Sequence, residues 1–295
     1  MFDICELHEP ETLLEAKRIF NADPSLKIIA GGTDVLIRMQ HGGLAGAGLL
    51  SLRNLHELEV IELLGDGTLS VGAMAPFTQI FQSELIQKLV PILGEAAVSM
   101  GGPQVRNIAT IGGNLCNGAV SADSASTLFA LDALLKLETL DSERIIPMKD
   151  FYAGPGKVNL LPGELLVAIL IPREGYEGMG GHYIKFAPRK AMDIATLGVA
   201  ALCRVKDNRF LELRIGLGVA APVPVRCFEA EAYAQGREVT LETVQEIARL
   251  ALKPAKARSS WRASKEYREH LIEVLAQRAV AEAVKRAGGC CADEK

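Results

Sequence analysis

Two glycine-bearing stretches hold the residues whose types and spacing best suit chemistry. The first reads Ala30-Gly31-Gly32-Thr33-Asp34 after the run Leu26-Lys27-Ile28-Ile29. The second reads Thr110-Ile111-Gly112-Gly113-Asn114 and continues through a polar stretch to Asp123. Each sets a Gly-Gly backbone, free to adopt positive φ, beside a hydroxyl and an acid or amide. With no side chains at Gly31 and Gly32, consecutive N–H groups can converge on an anion. Thr33 adds a donor, and Asp34 can orient the loop or accept from a ribose hydroxyl. In the second stretch Thr110 and Asn114 bracket the glycines, with Asn117, Ser121 and Asp123 close behind. Steric demand alone explains many Gly-Gly turns, and an Asx-rich surface loop is the bland reading of the second. Together they favour a site for a long ligand with a diphosphate, such as a dinucleotide. Neither matches the G-x-G-x-x-G of a Rossmann site or the G-x-x-x-x-G-K-[ST] of a P-loop, so those nucleotide folds are disfavoured.

Other reactive residues form no rival constellation. His8, His41, His56, His182 and His270 lie in unrelated contexts. The cysteines, at 5, 116, 203, 227, 290 and 291, make no C-x-x-C pair, so a metal or iron–sulfur site built by this chain alone is not expected. Cys116 falls inside the second glycine stretch. Lys185, Arg189 and Lys190 read equally as a solvated loop or as an attractant for phosphates, with Lys185 the stronger case. Arg258, Trp261 and Arg262 read as a subunit contact or, through Ser259 and Ser260, as a capped helix entry. No acid–base dyad is assigned.

The elements that must position these residues follow from periodicity and turn signals. A strand over Phe2–Cys5, a helix over Glu9–Phe20 and a strand over Lys27–Ala30 lead into the first glycine turn. A short helix or strand from Val35 and a strand at Leu49–Leu52 complete a small α/β unit ending near Leu58. Gly65-Asp66-Gly67 then joins two strands as a hairpin. Helices are expected over Pro76–Glu84, Gln87–Val98 and Ala125–Leu131, and strands over Leu134–Leu140 and Leu166–Ile171. The last part has strands at His182–Phe186, Leu197–Val205 and Leu211–Val219, then helices at Leu241–Leu252 and Trp261–Arg286, the last with a core-facing stripe. Three domains are expected, over 1–58, 59–174 and 175–295.

At 295 residues and 49% hydrophobic content the chain is of ordinary globular composition. A net charge of −4 gives no reason to expect nucleic acid or an anionic membrane surface. No apolar run is long enough for a membrane span, and the acidic start Met1-Phe2-Asp3 lacks the basic region of a signal peptide. A cytoplasmic protein is expected.

The sequence resembles the FAD-binding (medium) subunits of the molybdenum hydroxylase family, and among them the bacterial xanthine dehydrogenase branch. The likeness rests on Lys27–Asp34, the run Gly102-Pro103-Gln104-Val105-Arg106-Asn107-Ile108-Ala109-Thr110-Ile111-Gly112-Gly113-Asn114, Phe151–Lys157, Asp193-Ile194-Ala195 and Arg258–Ser264. It spans essentially the whole chain. It implies an α+β protein with a vanillyl-alcohol-oxidase-type FAD-binding fold, two α/β subdomains clasping the cofactor, and a C-terminal α+β domain.

Carried over residue by residue, the resemblance places Lys27, Ile28, Ile29, Ala30, Gly31, Gly32, Thr33 and Asp34 at the FAD diphosphate. It places Thr110, Gly113, Asn114, Asn117 and Asp123 along the diphosphate, ribityl and adenosine parts. Leu166 and Lys185 match positions packing on flavin or adenine. Asp193 and Ile194 match a loop beside the ring, where nicotinamide would approach. Met100 stands where the eukaryotic enzymes place a Phe, giving a softer thioether contact, and Thr196 stands where they carry a Lys. The cysteine-bearing insertion of the 4-hydroxybenzoyl-CoA reductases is absent.

The implied role is an electron relay to NAD+ from the [2Fe-2S] clusters of a small subunit, with molybdopterin in a large one, in a dimer of heterotrimers. The same flavin role in a carbon monoxide or nicotinate enzyme, or a nucleotide-binding module without redox turnover, stands as an alternative.

Overall fold

The computed structural model describes residues 3–291. The small N-terminal sheet is parallel, in the order Ile4–His8, Ala47–Ser51, Lys27–Ile29. The strand expected from Phe2 begins at Ile4, and Phe2 itself lies outside the described residues. The intervening helix runs Leu13–Ala22 because Thr12, not Pro10, is its cap: the Thr12 hydroxyl accepts from the Glu15 N–H. The residues after the first glycine turn are helical, Val35–Gln40.

The second sheet is antiparallel, in the order Ile61–Leu63, Leu69–Gly72, Leu165–Ile171, Leu134–Glu138, Glu143–Pro147. Where two helices are expected after Pro76, three form: Phe77–Gln82, Glu84–Leu89 and Pro91–Ser99. Ser83 caps the second with its hydroxyl on the Ile86 N–H, and Pro91, lacking an N–H, starts the third.

A four-stranded antiparallel sheet, Gly180–Phe186, Leu197–Lys206, Arg209–Gly218 and Val225–Arg226, forms the C-terminal part. Its strand Leu197–Lys206 is buried on both faces, as period-two geometry requires of a sheet covered twice. Leu197, Val199, Ala201 and Cys203 face a core shared with the helices Phe228–Ala234, Leu241–Leu250 and Lys265–Arg286. Ala200 and Leu202 join the core of the preceding sheet instead.

Between the two sits the helix Asp123–Ala130, every residue of which is buried. Its short side chains admit close approach from the C-terminal sheet: a Cβ on Gly216 would lie 2.2 Å from the Ser126 carbonyl oxygen. Arg226 stitches the same boundary, donating to the Phe129 carbonyl, to Asp132 and to Glu231.

The last helix starts at Lys265 rather than Trp261. Ser264 is its cap, accepting from the Tyr267 N–H at 3.1 Å, and Trp261 and Arg262 form a tight turn closed by the Ser260 N–H donating to the Ala263 carbonyl at 2.9 Å. We expect Ser264→Ala to cost about 1 kcal/mol of stability in chemical denaturation. No change would remove the cap assignment.

Candidate functional site

The two glycine stretches meet on one cavity. Their contact is made by main chain: a Cβ on Gly31 would fall 1.8 Å from the Ile108 carbonyl oxygen, so no other residue fits there with the loops this close. Gly32 is glycine for the other reason, a φ of +74°. Gly112 and Gly113 overturn the expectation of a positive-φ turn. They lie in a short helix, Ile111–Cys116, with ordinary helical φ. Thr110 caps it by accepting from the Gly113 N–H at 3.1 Å, and Gly112 is required because a Cβ would lie 2.6 Å from the Ala73 carbonyl oxygen. The helix is invisible in Ile-Gly-Gly-Asn-Leu-Cys because its propensity is poor and packing supplies the difference.

A cavity of about 690 Å³, in the range of ligand sites, is lined by both stretches. On its walls are Ile28, Ala30, Gly31, Gly32, Thr33, Asp34, Met100, Thr110, Gly113, Asn114, Asn117, Asp123, Leu166, Asp193 and Ile194. Of the residues expected at the site, Lys27, Ile29 and Lys185 do not line it. Lys27 and Ile29 belong to the parallel strand that feeds the loop. Arg38, Met74, Glu164, Met192, Trp261 and Arg262 also line the cavity. Arg38 had a signal: it follows Asp34 at helical spacing, one turn on. It donates to the Asn117 side-chain oxygen, tying the first stretch to the second. Glu164 gave none, since its place depends on a loop and on Arg144, which binds it through two guanidinium nitrogens.

The polar groups of the first loop are free to act. Among the described residues, no protein acceptor receives the main-chain N–H of Gly31, Gly32, Thr33 or Asp34. Main-chain donors at a half-buried loop need partners, and successive N–H groups facing a cavity form an anion nest. In the second stretch the Asn114 side-chain oxygen accepts from Ser124 at 2.7 Å, which fixes the amide's orientation. Cys116 is no nucleophile, since burial pushes its thiol up to about 12.

Asp123 forms the floor. Its carboxylate is buried and accepts from Lys185 Nζ at 2.8 Å and from the Tyr183 hydroxyl at 3.2 Å. Lys185 also donates to the Ser99 carbonyl at 3.1 Å. The lysine therefore reaches the cavity through Asp123. Burial pushes the Asp123 carboxyl above the usual carboxylate range, opposed by the Lys185 charge and by both hydrogen bonds.

On the far wall the loop carrying Asp193 is held by Arg189, which donates to the Asp193 carboxylate and to the Met192 carbonyl. Met192, at φ +54°, donates its N–H to the Gly101 carbonyl.

The chain belongs to the molybdenum hydroxylase FAD-subunit family. Residues 2–174 match the FAD binding domain in molybdopterin dehydrogenase, and residues 182–283 match the CO dehydrogenase flavoprotein C-terminal domain. The fold is thus the vanillyl-alcohol-oxidase-type FAD-binding fold with a C-terminal α+β domain. The chain is 44% identical to the xanthine dehydrogenase FAD-binding subunit of Escherichia coli O157:H7, over 98% of this chain and 99% of that one. It is 32% identical to the nicotinate dehydrogenase FAD-subunit of Eubacterium barkeri, over 81% of this chain and 82% of that one. Among solved structures, carbon monoxide dehydrogenase from Hydrogenophaga pseudoflava superposes with a TM-score of 0.91 at 29% identity, covering 97% of this chain and 99% of that one.

Proposed function

We propose that the chain is the FAD-binding electron-transfer subunit of a molybdenum-containing xanthine dehydrogenase, passing electrons from [2Fe-2S] clusters of a small partner subunit to NAD+. The substrate would be oxidised at molybdopterin in a large partner, within a dimer of heterotrimers in the cytoplasm. The supporting observation is the meeting of two glycine stretches on one cavity, with four main-chain N–H groups left for a ligand. The residues present fit FAD: donors for a diphosphate, acceptors for hydroxyls, and apolar walls for a ring system.

Bound FAD supplies the ability to take electrons singly and release them as a pair. The chain's own residues do the rest. The N–H groups of Gly31 to Asp34, with Thr33, hold the diphosphate. Asn114, oriented by Ser124, and Asp123, held by Lys185, bind sugar-alcohol hydroxyls. Leu166 and Met100, apolar residues of the cavity wall, would exclude water from the ring, and the Asp193–Ile194 loop on the same cavity would stand beside the acceptor.

Three domains, 1–58, 59–174 and 175–295, divide this work. The 44% identity to a xanthine dehydrogenase subunit favours a purine over the carbon monoxide and nicotinate alternatives. The test is isolation of the native complex. We expect flavin absorbance, molybdopterin and iron–sulfur partners, and reduction of NAD+ that depends on added xanthine. A complex with flavin that reduces NAD+ only with nicotinate would reassign the substrate, and a chain that takes up no flavin would remove the reading.

A further inference from the structure

The tight turn before the last helix, closed by the pairing of Ser260 with Ala263, contributes Trp261 and Arg262 to the lining of the cavity. Trp261 is 83% exposed, the most of any large apolar side chain described. The Arg262 guanidinium lies over its ring, 4.2 Å from the centroid. The charge here is uncompensated. Arg214, Arg226, Arg144 and Arg249 each bind a carboxylate, whereas among the described residues no carboxylate pairs with Arg258, Arg262 or Arg268. Arg268 spends its donors on the Thr196 carbonyl and the Ser260 hydroxyl. Burial first, and the Arg258 and Arg262 charges next, hold its guanidinium below the usual value. The Arg262 Nε is buried without an acceptor, and a guanidinium so placed is short of an anion.

A flat exposed indole, a guanidinium stacked on it, and Arg258, whose charge acts with that of Arg262 on Arg268, suit a ligand that is both planar and phosphorylated. We propose that Trp261, Arg262 and Arg258 form a second nucleotide subsite at the cavity mouth, taking the phosphate-bearing end of a freely exchanging dinucleotide. This rests on the reading above, in which FAD occupies the wall made by the glycine loops and leaves the mouth to the acceptor. The Asp193–Ile194 loop on the same cavity then faces the acceptor's reacting end.

Trp261 is the chain's single tryptophan, so its fluorescence reports this position alone. The full chain, loaded with FAD, is titrated with ADP-ribose, which carries the phosphates and adenine but no nicotinamide. We expect saturable quenching in the wild type. Arg262→Ala should weaken binding about tenfold or more, and Arg262→Lys, which keeps charge without the planar stack, should fall between. Arg258→Ala, at an exposed residue with no hydrogen bond to lose, should weaken binding with the fold intact. FAD content should be unchanged in all variants.

Absence of saturable quenching, or wild-type affinity in both alanine variants, overturns the subsite. So does loss of FAD from Arg262→Ala, because the mouth would then belong to the flavin's own site. Quenching that appears only when partner subunits are added would mark a docking surface and equally overturn it. Failure of the FAD reading shows separately, as lack of flavin uptake by the wild type. The titration of the flavin-free chain then still decides whether the mouth binds a nucleotide.

Discussion

Gly31→Ala is expected to abolish flavin retention. One methyl group placed 1.8 Å from the Ile108 carbonyl oxygen cannot be accommodated by a side-chain rotation, since the obstacle is main chain. The two loops must separate, and with them the N–H groups of the first and the short helix of the second. Overpacking of this kind costs about 1–3 kcal/mol even in cores that can adjust. The same displacement in the binding geometry would lower flavin affinity by at least about tenfold. Gly32→Val should act in the same direction for a different reason, because a β-branched residue is strained at φ +74°. Gly65→Ala is the control, with nothing within 4 Å of the added carbon and no positive φ. Flavin-to-protein ratio after gel filtration reads all three. Wild-type flavin content in Gly31→Ala would show that the loops need not touch.

Lys185→Met is expected to cost stability at neutral pH, by about 3–5 kcal/mol, because it leaves the Asp123 carboxylate buried without its counter-charge. The sign of the pH effect follows from the direction of the shift. Burial already raises Asp123 above its ordinary 3.8, and loss of the ammonium raises it further. A carboxyl raised by folding contributes stability while protonated and loses it as pH rises through the raised value. The variant's deficit should therefore shrink on acidification across the range above the ordinary carboxyl value. Adding Asp123→Asn to Lys185→Met should restore much of the loss. Denaturant unfolding at several pH values measures both, and a pH-independent deficit would place the lysine's contribution elsewhere.

These two residues show what was legible in the sequence. Gly31 and Gly32 are adjacent and identical in type, and the sequence marks both as a ligand loop. Only the structure separates close main-chain approach from a left-handed φ, because the obstacle at Gly31 comes from Ile108, far along the chain. Lys185 is legible as a charge belonging to the site, but not its place behind the cavity wall, where it donates to Asp123 and does not itself line the cavity. Strongly patterned elements such as Lys265–Arg286 and Leu197–Lys206 were readable from periodicity. The strand Glu143–Pro147, whose apolar residues are few, and the helix Ile111–Cys116, whose glycines argue against it, exist through tertiary contacts that no local pattern encodes. The arginine-rich mouth lies between, since the residues were visible and their lack of acidic partners was not.

The buried helix Asp123–Ala130 imposes an order on biosynthesis. The carboxylate at its start is neutralised by a lysine 62 positions later, and its flank is closed by Arg226, 97 positions after Phe129. A nascent chain emerging from the ribosome has both glycine loops long before either partner exists. Until then the floor of the cavity carries an acid without its lysine, on a helix whose side toward the C-terminal sheet is bare. Flavin capture must therefore wait for the second half of translation, and a ribosome-stalled chain ending before Lys185 should emerge colourless.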